Sequence, residues 1–208
     1  MSLFDENRDR HFFNLLGDLS GKRVLDLGCG TGRLDLAILK KGAVVHGIDI
    51  QSVVKKEALE HPRYTFQLAD ATAITFKEVF DVVISYDVIE HVEDDRGFVV
   101  KAIQALKPGG QLLLGTPNRW RTINTLKRLL GRAPVYPLDL GDDPELGSTI
   151  HLREYTFESY HRLVDPLLPN ARVFGYWLGL GPRGGIPVMS EHLQFLPYHY
   201  LFCFAKKL

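Results

Sequence analysis

The sequence predicts an α/β fold, a mostly parallel sheet wound with helices on both faces, in one domain over residues 1–208. Three observations predict it. Short β-rich apolar runs alternate with segments of helical spacing from residue 23 onward. The run 80–86 is almost continuously apolar, as a strand covered on both faces must be. The first strand runs straight into glycines at 28, 30 and 32 and from them into a helix.

Residues 5–19 carry Phe12, Phe13, Leu15, Leu16 and Leu19 on a rough helical repeat, an amphipathic lead-in helix ended by Ser20-Gly21. A strand over 23–27, the glycine turn and a helix from Leu34 to Lys40 follow, stopped by Gly42. A second strand spans 43–50, Ser52 is the expected N-cap of a helix reaching His61, and 64–68 is a third strand. After the strand 80–86, Asp94 or Asp95 opens a helix to Leu106, Lys107-Pro108-Gly109-Gly110 makes a turn, and 111–116 is a fifth strand. The alternation then breaks. Residues 117–150 read as an inserted lid with a helix near 120–130 and an irregular Pro-, Gly- and Asp-rich stretch. A helix over 156–167 with Thr156 as N-cap precedes two last strands, 172–178 and 197–205, joined by a Gly- and Pro-rich loop and therefore expected to be antiparallel.

Composition narrows the function. The 208 residues hold 25 Lys+Arg against 25 Asp+Glu, so no net charge draws the chain to nucleic acid or anionic lipid. Cys29 and Cys203 form no CxxC pair and read as buried thiols in a reducing compartment, with no disulfide or zinc framework. The charged first ten residues and the lack of a bilayer-length apolar run point to a cytoplasmic protein without a transmembrane segment. The oligomeric state is not fixed by the sequence.

Three carboxylates stand at successive strand ends. Asp26 precedes Gly28 and suits a ligand's ammonium group, whereas a pyrophosphate would be repelled by it. Asp49 ends the second strand, where a carboxylate accepts both hydroxyls of a ribose. Asp70 ends the third, placed to accept from an adenine amine, with Ile50 and Ala71 on either side of the ring. Taken singly, each acid reads equally well as a helix cap or a turn residue. The series of three, all on the carboxyl edge of a parallel sheet, is what points to a nucleoside joined to an amino acid.

The order Asp26-Leu27-Gly28-Cys29-Gly30-Thr31-Gly32, Gly47-Ile48-Asp49, Asp70-Ala71, Asp81-Val82-Val83-Ile84-Ser85 and Leu106-Lys107-Pro108-Gly109-Gly110 resembles the class I S-adenosylmethionine-dependent methyltransferases of small molecules. The resemblance implies a Rossmann-like three-layer sandwich whose seven-stranded sheet has its last strand antiparallel. It also implies S-adenosyl-L-methionine as cofactor and S-adenosyl-L-homocysteine as product. In that family the turn with Gly28, Cys29, Gly30 and Gly32 holds the methionine moiety, Asp49 the ribose and Asp70 the adenine. Arg33 breaks the Gly-x-Gly-x-x-Gly spacing of nicotinamide enzymes.

The segment Ser85-Tyr86-Asp87-Val88-Ile89-Glu90-His91 is similar to the Glu-His segment of small-molecule methyltransferases, including quinone-type O-methyltransferases, and Tyr86 is counted with the cofactor site. Methyl transfer from a sulfonium is an in-line displacement that mainly requires alignment and exclusion of water. A base matters only for a protonated acceptor, and His91 is the candidate. Glu90 and His91 alternatively brace the following helix; as metal ligands they lack a recognisable set, and no metal is expected. Glu90, Asn118, Arg119, His151 and Arg153 are the acceptor-side candidates, since all lie near the carboxyl edge or in the lid. The basic run Arg119, Arg121, Lys127, Arg128 and Arg132 suits an anionic or lipid-bearing acceptor, or is simply a solvated face. The expected reaction is O- or N-methylation of a metabolite, sugar, quinone or lipid-linked acceptor. The rivals are a nucleic-acid or protein methyltransferase, a binder of the cofactor without catalysis, and a nicotinamide oxidoreductase.

Overall fold

The computed structural model describes residues 3–143, 147–181 and 184–208. A helix α1 (Leu3–Leu16) leads into β1 (Arg23–Leu27), α2 (Arg33–Lys40), β2 (Val44–Asp49), the single-turn α3 (Lys56–Leu59) and β3 (Tyr64–Leu68). Next come β4 (Phe80–Tyr86), α4 (Asp95–Ala105), β5 (Leu106–Pro117) and α5 (Thr122–Leu129). A hairpin of β6 (Leu138–Asp143) and β7 (Gly147–His151), then α6 (Phe157–Val164), β8 (Arg172–Gly181), β9 (Gly184–Ser190) and β10 (Tyr198–Lys206) complete the chain.

Eight strands form one sheet in the order β3-β2-β1-β4-β5-β10-β8-β9. The first five are mutually parallel, and β10 runs antiparallel to both β5 and β8. Because side chains alternate across a strand, Leu25, Val83, Leu112 and Cys203 face one apolar layer with Phe98 of α4 and Tyr160 of α6. Val24, Val82, Leu113 and Phe202 face the other, against Phe12 of α1 and Ile38 of α2. Full burial of a large apolar side chain in these layers stabilises by about 1.5–3 kcal/mol. The doubly wound three-layer class is the one expected, with β9 added at the sheet edge.

Several element limits differ from expectation for local reasons. The lead-in helix stops at Leu16 because Gly17 takes a left-handed φ of 72° and its N–H reaches back to the Phe13 carbonyl at 2.9 Å. The helix expected from Ser52 starts only at Lys56: Lys55 is extended, and its N–H is drawn to the Thr31 carbonyl at 3.0 Å. The region 117–150 read as irregular holds β6 and most of β7, and part of the Gly- and Pro-rich loop of 179–187 forms β9. The turn 107–110 is absorbed into β5 as an irregularity between the pairs Phe80–Leu106 and Val82–Gln111.

Candidate functional site

The carboxyl ends of β1, β2, β3 and β4 meet along one rim. The glycine turn after β1 is pinned to its neighbour: the N–H groups of Gly28 and Cys29 donate to the Ile48 carbonyl at 2.7 and 3.0 Å. Gly28, Gly30 and Gly32 have φ of 81°, 51° and 73°, in the region that side chains disfavour. At Gly28 space adds to conformation, since a Cβ there would stand 2.1 Å from Val88 Cγ2.

Asp49 ties this turn to the segment after β2, one oxygen to each. Oδ2 accepts from the Gly30 N–H at 2.8 Å and Oδ1 from the Gln51 N–H at 2.9 Å, so the ribose candidate also fixes the loop. Asp70 caps the short 3-10 turn Ala71–Ala73 through Oδ1, which takes both the N–H and the hydroxyl of Thr72. Ile50 is 70% exposed on the rim, whereas Ala71 is buried. Cys29 is buried with its thiol pushed far up, first by burial and then by Asp26.

Asp26 is buried beneath the turn, and beside it lies an acid that the sequence reading missed. Asp35, on α2, is fully buried; it hydrogen-bonds Asp26 and accepts from the Tyr64 hydroxyl at 2.8 Å. Burial pushes Asp35 up to about 6, partly offset by those hydrogen bonds. Asp26 is raised as well, by burial and then by Asp35, so the two carboxyls hold a proton more tightly than free carboxylates. A signal for Asp35 was present: it shares the helical stripe i, i+3, i+4 with the buried Ile38 and Leu39.

Beyond β4, a second group converges on the rim. Glu90 is fully buried; its Oε2 accepts from the Thr116 hydroxyl at 2.9 Å, and its Oε1 has no partner. His91 Nδ1 lies 2.7 Å from the Ile150 carbonyl, and His151 Nδ1 lies 3.0 Å from Glu154 Oε1. Both are donor positions, which leaves each Nε2 as an acceptor, and each Nε2 is 4.0 Å from Glu90 Oε1. Burial lowers the His91 pKa, so its imidazole is neutral at neutral pH. Glu154 draws in Arg121 at 2.5 Å, Tyr136 at 2.6 Å and Asn124 at 3.2 Å. Burial opposes its charge, but the bonds from His151, Arg121 and Tyr136 prevail and hold it at about 2.

The remaining candidates are distributed differently. Tyr86 lies under the rim, stacked on Tyr200 at 5.3 Å with the Arg8 guanidinium 4.4 Å from its ring centre. Asn118 is buried, its amide donating to the Tyr198 carbonyl and accepting from the Trp120 N–H, and so is occupied in bracing. Arg119 and Arg153 border one cleft of about 590 Å³, together with Trp120, Tyr155 and Arg162. Arg153 is tied to the carbonyls of Val92 and Glu93. Within the basic run, Arg119 and Arg128 both lie over the Trp120 ring. No helix among the described residues is long and apolar enough to cross a membrane.

Comparison with known proteins agrees with this architecture. Residues 25–114 match the model of a methyltransferase domain. Over 109 residues the chain is 38% identical to the ubiquinone biosynthesis O-methyltransferase of Pseudomonas fluorescens strain Pf0-1, covering 49% of this chain and 47% of that one. The corresponding Salmonella newport enzyme is 36% identical over 110 residues, 50% of this chain and 46% of that one. The chain thus spans about half the length of the curated relatives it matches. Among solved structures, a S-adenosylmethionine-dependent methyltransferase from Methanosarcina mazei superposes with a TM-score of 0.66 at 22% identity, covering 95% of this chain and 97% of that one. The 1,6-didemethyltoxoflavin-N1-methyltransferase of Burkholderia thailandensis gives 0.64 at 15% identity, covering 99% and 79%. The chain thus shares the fold of these solved structures, and its residues 25–114 are similar to a methyltransferase domain.

Proposed function

We propose that the chain transfers a methyl group from S-adenosyl-L-methionine to a small-molecule acceptor, with a hydroxyl as the favoured acceptor atom. The observation that carries this is the rim itself: the left-handed glycine turn, with Asp26, Asp49 and Asp70 at the carboxyl ends of three adjacent parallel strands. In this reading Gly28, Cys29, Gly30 and Gly32 cradle the methionine part, Asp26 faces its ammonium group, and Asp49 takes the ribose hydroxyls. Asp70 takes the adenine amine through its Oδ2, with Ile50 and Ala71 against the ring. Tyr86 supports the floor of the site.

The chain's own residues then have two tasks, alignment and removal of a proton. The acceptor lies over the Glu90, His91 and His151 cluster, with Arg119 and Arg153 at the edge of the adjoining cleft and Asn118 holding the strand end that frames it. His91, neutral and bonded through Nδ1, offers Nε2 as the proton acceptor. The hydroxyl preference rests on the O-methyltransferase relatives over the matched half. We place the protein in the cytoplasm and without a nucleic-acid partner, in line with its zero formal net charge.

Thermal unfolding with added ligand tests the first half, because a ligand bound only by the folded state raises the melting temperature by mass action. S-adenosylhomocysteine is expected to stabilise and NAD to leave the curve unmoved; the reverse result removes the proposal. Turnover of methyl-labelled donor with a metabolite extract then identifies the product.

A further inference from the structure

We propose that Glu90, His91 and His151 form a binding site for one divalent first-row transition ion. Four features of the structure lead to it. The three donor atoms, Glu90 Oε1 and the two Nε2 atoms, lie within 4.8 Å of one another. Each imidazole is already oriented as a ligand, its Nδ1 donating to a fixed acceptor: the Ile150 carbonyl for His91 and the Glu154 carboxylate for His151. Such outer partners set the tautomer that leaves Nε2 free for a metal. Third, Glu154 is itself held in place, since Arg121 and Tyr136 bond it from other sides.

The fourth feature is an orphaned oxygen. Glu90 Oε1 is buried without a hydrogen-bond partner although its residue has no solvent exposure. An isolated buried carboxylate oxygen is costly, so a partner is called for. A protonated imidazole would close to about 2.8 Å to pair with it, whereas both Nε2 atoms stand back at 4.0 Å.

The chemistry of the set selects the ion. Two imidazoles and one carboxylate suit zinc, cobalt, iron or manganese better than magnesium or calcium, which prefer all-oxygen shells. Bonds of about 2.0–2.2 Å place neighbouring donors roughly 3.0–3.5 Å apart, so on loading the 4.0 Å gaps close by about 0.5–1 Å and the widest separation, within 4.8 Å, by more. This departs from the expectation of no metal: Glu90 and His91 adjoin in sequence, but the third ligand is 60 residues away and is brought in by the Leu152 and Arg153 N–H groups, which both donate to the Glu90 carbonyl. With an ion bound, His91 is a ligand and not a free base.

The test is Co2+ titration of the chelator-stripped, tag-free chain, followed by visible ligand-field absorption and calorimetry. One equivalent is expected to bind with an imidazole-type spectrum. Glu90→Gln, which keeps the side chain's shape and its Thr116 contact, and His151→Ala are each expected to abolish stoichiometric binding. Glu154→Gln is expected to weaken it about 10–100-fold, while His161→Ala, at an exposed His–Asp pair, leaves it unchanged. Circular dichroism identifies any variant that fails to fold, and the Glu90→Gln result decides where His151→Ala does. Absence of one-equivalent binding to the wild-type chain, or equal binding by folded Glu90→Gln, overturns the site. Neither outcome depends on S-adenosylhomocysteine binding, which is measured separately on the same protein.

Discussion

Replacing Gly28 by alanine tests the rim by a route that needs no cofactor. At φ 81° a Cβ meets the left-handed penalty, about 1–2 kcal/mol. It also lands 2.1 Å from Val88 Cγ2, far inside a carbon–carbon contact distance of about 3.5–4.0 Å. Overpacking of this kind costs about 1–3 kcal/mol, so Gly28→Ala should destabilise by roughly 2–5 kcal/mol. Val88→Ala removes the colliding methyl and leaves only the φ penalty. In that background Gly28→Ala should therefore cost about 1–2 kcal/mol, and the double-mutant cycle should return a coupling of about 1–3 kcal/mol. Urea denaturation of the four proteins at one pH measures this. An equal cost of Gly28→Ala in both backgrounds would refute the close approach of β1's turn to the segment after β4.

Further outcomes follow from the buried acids. Asp35 has a folded pKa raised to about 6 from 3.8, so the folded state binds more protons than the unfolded chain between those values. Its contribution is then present below about pH 4 and is lost as pH rises through about 6. Asp35→Asn should flatten that fall in urea melts from pH 4.5 to 7; an unchanged slope contradicts the pairing with Asp26. Glu154→Ala leaves Arg121 without its partner in a side-chain environment only 14% exposed, and should cost about 3–5 kcal/mol in chemical denaturation. A loss under about 1 kcal/mol would mean that the network is not formed. In the chelator-stripped protein, where the His91 Nε2 is free, His91→Ala should lower turnover of labelled donor by about 10²–10⁴-fold without weakening S-adenosylhomocysteine binding, and an unchanged rate rejects any role for it in proton removal.

Legibility of the fold depended on how local its causes are. The runs 23–27, 64–68 and 80–86 coincide with β1, β3 and β4 because their apolar patterns and the flanking turn residues act within the segment itself. The hairpin β6–β7 and the edge strand β9 were missed because pairing across the strands, through Gly- and Asp-rich sequence, decides them. The helix before β3 was overextended since no sequence signal announces that Lys55 bonds back to Thr31. At the rim, the placement of Asp26, Asp49 and Asp70 at or beside the ends of β1, β2 and β3 was legible because those strands were. His151 was named for its position in the lid, but its approach to Glu90 is a tertiary fact. Asp35 was overlooked although its place on an apolar stripe marked it, and Asn118 proved to be a brace.

A co-crystal of the chain with S-adenosylhomocysteine tests the central claim most directly. The account predicts the ligand along the carboxyl ends of β1–β3, its ribose hydroxyls on Asp49, its adenine amine at Asp70 and its amino-acid end over Gly28–Gly32 near Asp26. A ligand seated elsewhere, for instance in the cleft bordered by Arg119 and Arg162, with those three carboxylates uncontacted, would contradict it.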